Sequence, residues 1–208
     1  MLIRCRGPHE RGLAWTDARD VRLVTLDGSQ GSPGELDAWS PPSELPLHAE
    51  VLRNRSDVEA VVHAHPPAVV AADLAGLGIR PIIGAFDIPG AKLAAGGVPV
   101  YPRSALIRSK ILAREMLDAM AERPVVVLRG HGVTATGGSV VQAVLRVLSL
   151  DMIARMSLTV ASAGGTLRDI SDEDMAELPD LGSSLNLEIA WRHELSRLGH
   201  DTKRVPCL

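Results

Sequence analysis

Aromatic residues are nearly absent from this chain: Phe86, Tyr101, Trp15, Trp39 and Trp191 are all that 208 residues contain. The core must therefore be built from Leu, Val, Ile and Ala, and stacking platforms for nucleobases or sugars are not expected. Cysteine is as scarce. Cys5 and Cys207 stand at opposite ends and offer neither a disulfide framework nor a CxxC metal site. An excess of one charge is also missing, since the 22 basic residues are scattered and the net charge is only -3. That removes the electrostatic footprint of a nucleic-acid binder. No apolar run approaches the roughly 18–20 residues needed to cross a bilayer, and the opening MLIRCRGPHERG carries no apolar signal-peptide stretch. The expectation is a cytoplasmic protein that acts on a small molecule, with no membrane and no nucleic acid as partner.

What the chain does have is 46% apolar residues in 22.1 kDa, enough to bury one sizeable core. Residues 1–208 are expected to form a single domain. Residues 21–26 read as a strand closed by the Asp27-Gly28 turn pair, and Ser43 is placed to cap a helix through Leu47, Val51 and Leu52. A β-branched run over 58–65 stops at Pro66-Pro67 and leads into an Ala-rich helix. Short strands are expected at 79–83 and 98–101, and Ser104 is placed to cap an amphipathic helix with Leu106, Ile107, Ile111, Met116 and Met120 inward. A buried strand at 124–128 runs into Gly130-His131-Gly132. Ser139 then caps a long apolar helix ending at Gly164-Gly165, and Ser171 opens an acidic helix. The alternation of strand and helix indicates an α/β protein.

Three of the seven histidines stand where sites are built. His63 and His65 in VVHAHPP are two apart on a strand, so both side chains point to one face with Cα atoms about 6.6 Å apart. His131 follows another strand and is flanked by glycines that let the backbone approach something closely. A His-x-His pair alone is weak evidence, since most such pairs are not ligands; three imidazoles at strand ends match a catalytic divalent ion that keeps open positions. Glu44, in the first turn of its helix, is either a capping carboxylate or an acid/base residue beside that ion.

The string PPSELPLHAEVLRNRSDVEAVVHAHPPAVVAADLAG, followed at a distance by VVVLRGHGVTATGGSVVQAV, resembles the class II aldolase/adducin family. The shared pattern is Ser-Glu followed by a His, a fixed interval to His-x-His, and a distant His-Gly. The resemblance spans residues 20–165. It implies a three-layer α/β/α fold with a mostly antiparallel central sheet, assembled as a homotetramer with active sites between subunits. It further implies that His63, His65 and His131 hold one divalent metal ion, zinc as in the aldolases or manganese as in the decarboxylases, and that Glu44 is catalytic. In such enzymes the ion stabilises the enolate left when a carbon–carbon bond breaks. Adducin-like members without an intact site are structural proteins, and this chain keeps all three histidines and the glutamate.

The chain departs from the sugar-phosphate aldolases of the family, which grip phosphate with an N-terminal Gly-Asn-x-Ser loop, a Thr-Pro-x-Gly-like turn and a Ser-Ser pair before the glutamate. It opens at MLIRCRG, so its N-terminal segment is expected to be shortened relative to the family. The turn reads Trp15-Thr16-Asp17-Ala18, and the pair is Pro42-Ser43. Only Tyr101 remains where the aldolases use tyrosines as proton donors. The stretches RPIIGAFDIPGAKLA, VPVYPRSALI and ELPDLGSSLNLEIAWRHEL are instead similar to the family's metal-dependent decarboxylases of hydroxylated aromatic acids, those of dihydroxyphthalate or hydroxypyridine-dicarboxylate type. The function expected first is a divalent-metal-dependent carbon–carbon lyase that decarboxylates a non-phosphorylated hydroxylated aromatic acid. A class II aldolase comes second and an adducin-like scaffold third. Ser43, Tyr101 and Arg103 are the expected substrate contacts. Arg129 and Lys92 are further cations for a dianionic substrate, each also readable as ordinary surface charge, and His193, beside Trp191, reads as an exposed helical histidine ahead of a residue lying over a neighbouring subunit's site.

Overall fold

The computed structural model describes residues 1–198, so Cys207 lies outside the described residues. In chain order the elements are β1 (Leu2–Arg4), β2 (Val21–Leu23), α1 (Leu45–Asn54), β3 (Ala60–Ala64), α2 (Pro67–Leu74), α3 (Ile88–Ala94), β4 (Val100–Tyr101), α4 (Lys110–Met120), β5 (Val125–Leu128), β6 (Gly132–Gly137), α5 (Val140–Ser162), α6 (Asp172–Glu177) and α7 (Ser184–Arg197). They fall into two compact units: Met1–Ser56 with Ala105–Asp118, and Asp57–Ser104 with the described residues from Ala119.

In the first unit β1 and β2 pair antiparallel, Leu2 opposite Leu23 and Arg4 opposite Val21. The strand expected at 21–26 ends at Leu23. Beyond it the backbone turns back at Asp27-Gly28 as expected, with the Gly28 N–H donating to Thr25 O at 3.1 Å and Gly28 at φ +91°. Cys5, Val24 and Leu45 form a small core. Cys5, although near the start of the sequence, is thus packed inside, and burial pushes its thiol above the ordinary value, which leaves it a poor nucleophile.

Two capping expectations need correction. The cap position of α1 falls on Glu44, not Ser43, which is exposed; Pro46 in the first turn lacks one of the N–H groups that a capping hydroxyl would serve. The helix expected from Ser104 starts at Lys110 instead, with Ser109 Oγ accepting from the Leu112 N–H at 3.3 Å. In that register Ala113, Met116 and Met120 point inward. Ile107 is buried ahead of the helix, whereas Leu106 is half exposed and Ile111 is 71% exposed.

Glu50, on α1, is 1% exposed and accepts from Arg53 Nε and Arg114 Nε at 3.1 Å each. Burial alone would push its carboxyl up, but the hydrogen bonds and charges of the two guanidinium groups outweigh it and hold the group below its ordinary value. A folded-state pKa below the unfolded one gives stability that is present above the unfolded value and lost as pH falls through the folded one. Glu50→Gln is therefore expected to lower the unfolding free energy by about 1–3 kcal/mol at neutral pH, the lower half being favoured because Arg114 is largely in solvent. Urea melts should show the gap from wild type closing below about pH 4. A gap as wide at pH 3 as at pH 7 would contradict the ion-pair account.

The second unit is built on one sheet in the order β3-β6-β5-β4. The pairs β3·β6 and β6·β5 are antiparallel and β5·β4 is parallel, which is the mostly antiparallel sheet of an α/β protein. All four residues of β5 are buried, as its unbroken apolar run requires. Helix α5 packs on β3 and β6 and against α2 and α3. It starts at Ser139, whose Oγ accepts from the Gln142 N–H at 3.2 Å, and it ends just before Gly164 at φ +74°. Residues 79–83 are not a strand. Pro81 has no N–H to give a ladder, and the segment instead buries Ile79 and Ile83 while Ile79 O accepts from the Val98 N–H at 3.0 Å. The strand expected at 98–101 shrinks to two residues because Pro99 interrupts it. Among the described residues no helix is long and apolar enough to cross a membrane.

Candidate metal centre

Strand β3 carries His63, and His65 follows one residue past its end. The two-residue spacing does what the pleat dictates: the imidazole centroids of His63 and His65 lie 4.8 Å apart, and their Nε2 atoms are 2.9 Å apart. His131 sits in the turn joining β5 to β6, with its centroid 4.9 Å from His63 and 4.8 Å from His65. One potential ligand nitrogen from each ring lies within 4.8 Å of the other two.

The glycines around His131 have distinct duties. Gly130 takes φ +58°, a left-handed conformation that turns the chain back on itself, and the His131 N–H closes the turn on Leu128 O at 2.9 Å. A Cβ on Gly132 would lie 2.3 Å from Ala64 O and 2.8 Å from His65 Cδ2. The close approach expected at these glycines is therefore to the segment that carries His65.

His63 Nδ1 lies 2.9 Å from Val133 O. A carbonyl can only accept, so Nδ1 carries the proton and Nε2 keeps its lone pair on the side facing His65 and His131. Orientation of a ligating imidazole by a carbonyl at its other nitrogen is the usual support of a metal-bound histidine. Three imidazoles, one of them held in its ligating tautomer, suit a divalent ion of borderline character and leave positions open for substrate. Sequence reasoning missed the Val133 carbonyl, because a main-chain acceptor leaves no mark on residue identity.

Glu44 belongs to the first unit. Its side chain makes no capping bond; its Oε1 instead accepts from the Ile107 N–H at 2.8 Å, which fixes the direction of the carboxylate. The capping role is thereby set aside. Of the other expected residues, Ser43 and Arg103 are exposed, and Tyr101 is 2% exposed in β4. Arg129 pairs with Asp73 through Nε at 3.3 Å, Lys92 is exposed on α3, and His193 is exposed on α7.

With this geometry established, comparison with known proteins is direct. The description of the class II aldolase and adducin N-terminal domain matches residues 1–158. The chain belongs to the class II aldolase and adducin family. Within the family it is 67% identical over 199 residues to a 3,4-dihydroxyphthalate decarboxylase from Terrabacter sp. (strain DBF63), covering 96% of this chain and 83% of that protein. It is 66% identical over 199 residues to the protein of the same name from Arthrobacter keyseri, covering 95% and 80%. The crystal structure of an aldolase II superfamily protein from Pseudomonas syringae shares the fold, with a TM-score of 0.71 at 20% identity over 89% of this chain and 75% of that one. The chain is an enzyme, a carbon–carbon lyase of the decarboxylase branch, and its histidine cluster is suited to a divalent metal ion.

Proposed function

We propose that this enzyme decarboxylates an aromatic dicarboxylate bearing adjacent hydroxyl groups, of the dihydroxyphthalate kind, with a divalent metal ion held by His63, His65 and His131. The observation that carries the reading is the convergence of three imidazoles, with His63 fixed by Val133 O, in a chain two-thirds identical to named decarboxylases. A bound divalent ion supplies a Lewis acid for charge that develops on a substrate oxygen. Manganese, which the decarboxylase resemblance favours, is proposed ahead of zinc; imidazole ligands accept either.

In this reading the bond from ring carbon to carboxylate breaks, carbon dioxide leaves, and its electron pair stays on the ring system until a proton returns to that carbon. Glu44 is the group proposed to move that proton. Its carboxylate is held in direction by the Ile107 N–H, and a carboxylate is a competent general acid and base. Arg103 is proposed to receive the substrate's negative charge, Ser43 to contact the substrate, and Tyr101 to back that wall from within the sheet. The units together are proposed to form one domain, and four copies a homotetramer. Leu106 and Ile111, apolar and exposed on the single chain, suit a contact between copies. The reading is tested by following carbon dioxide release from such an acid by the metal-loaded enzyme, with aldehyde release from sugar phosphates as the competing outcome.

A further inference from the structure

Asp73 stands in the last turn of α2, where the helix dipole disfavours a carboxylate, and yet its side chain is 7% exposed. Both oxygens are used on one target. Oδ2 accepts from the Gly130 N–H at 2.7 Å, and Oδ1 pairs with Arg129 Nε at 3.3 Å. These are the two residues immediately before His131. The other main-chain N–H groups of this turn go to carbonyls, Arg129 to Tyr101 O at 3.0 Å and His131 to Leu128 O at 2.9 Å. The Gly130 N–H is held by a side chain. It is also the residue at φ +58°, and a glycine has more conformational freedom to lose on ordering than any other residue.

Helix α2 begins at Pro67, two residues after His65, and ends at Leu74, one residue after Asp73. One short rigid rod therefore starts beside one imidazole and fastens the turn that presents another. We propose that Asp73 is a positioning residue for the metal centre, holding His131 at its distance from His65 and so setting the affinity for the ion. The proposal rests on the metal reading given above. It predicts that the loss of a carboxylate outside the ligand set weakens metal binding as the loss of an outer-shell partner does.

The test uses the full chain and manganese, titrated by calorimetry, with the visible spectrum of the cobalt(II)-loaded protein as a second readout. Asp73→Ala should weaken manganese binding by about 10–100-fold and shift the cobalt bands, with the metal-free protein still melting cooperatively. Asp73→Asn should recover most of the affinity, since its amide oxygen still accepts from the Gly130 N–H. Leu74→Ala, at an exposed neighbouring position, should match wild type. If Asp73→Ala does not fold, Asp73→Leu fills the volume without an acceptor and repeats the measurement in a packed background. Wild-type manganese affinity and cobalt spectrum in the acceptor-free variant, with His65→Ala unable to bind, would overturn the proposal. Wild-type affinity in His65→Ala as well would place the failure in the metal centre itself.

Discussion

Glu44→Gln is expected to lower turnover by about two to four orders of magnitude while the protein remains folded. The substitution is informative because of what it keeps. Glutamine retains an oxygen to accept from the Ile107 N–H, so that contact persists while the charge and the proton exchange are lost. If the carboxylate served merely to anchor the Ile107 segment, turnover would be unchanged. Metal content is to be measured on the same preparation, because a carboxylate that also touched the ion would lower activity by a second route. Turnover within a few-fold of wild type, with metal retained, would reassign Glu44 to structure.

Larger still is the effect expected of His65→Ala. Removing one of three imidazoles takes away a ligand outright, so affinity for the ion should fall by more than the about 10–100-fold typical of an outer-shell change, and activity should fall with it. His65 suits the test because it is exposed and lies past the end of β3, so its removal leaves no cavity in the sheet core. Elemental analysis of purified protein before and after the substitution should show the ion lost. Equal metal content in the two would contradict the three-histidine centre.

How much of this was legible beforehand depended on how local each cause was. The convergence of His63 and His65 follows from a period of two on a strand, and the special backbone at His131 from the glycines on either side; both signals lie within a few residues. The cap of α5 at Ser139 and its end at Gly164 were readable for the same reason. The start of α4 was not, because Ser104 and Ser109 both precede plausible helix, and it is Ser109 whose Oγ accepts from a first-turn N–H, that of Leu112. Residues 79–83 show that an apolar run reports burial and not pairing: Ile79 and Ile83 are inside, yet Pro81 cannot serve a ladder. Least legible were the contacts that hold the individual candidate residues. Ile107 meets Glu44 across 63 positions, Val133 meets His63 across 70, and Asp73 meets Gly130 across 57. Two of these three are main-chain groups, which every residue carries and no sequence pattern distinguishes.

The decisive measurement is product analysis on enzyme stripped of metal by a chelator and then reloaded with manganese or zinc. Ortho-hydroxylated aromatic dicarboxylates are offered alongside fuculose and ribulose phosphates, and carbon dioxide and aldehyde are followed together. The account predicts carbon dioxide in proportion to the aromatic acid consumed, lost on stripping and restored on reloading, with no aldehyde from either sugar phosphate. Aldehyde without carbon dioxide, or carbon dioxide release undiminished in the stripped protein, would contradict it.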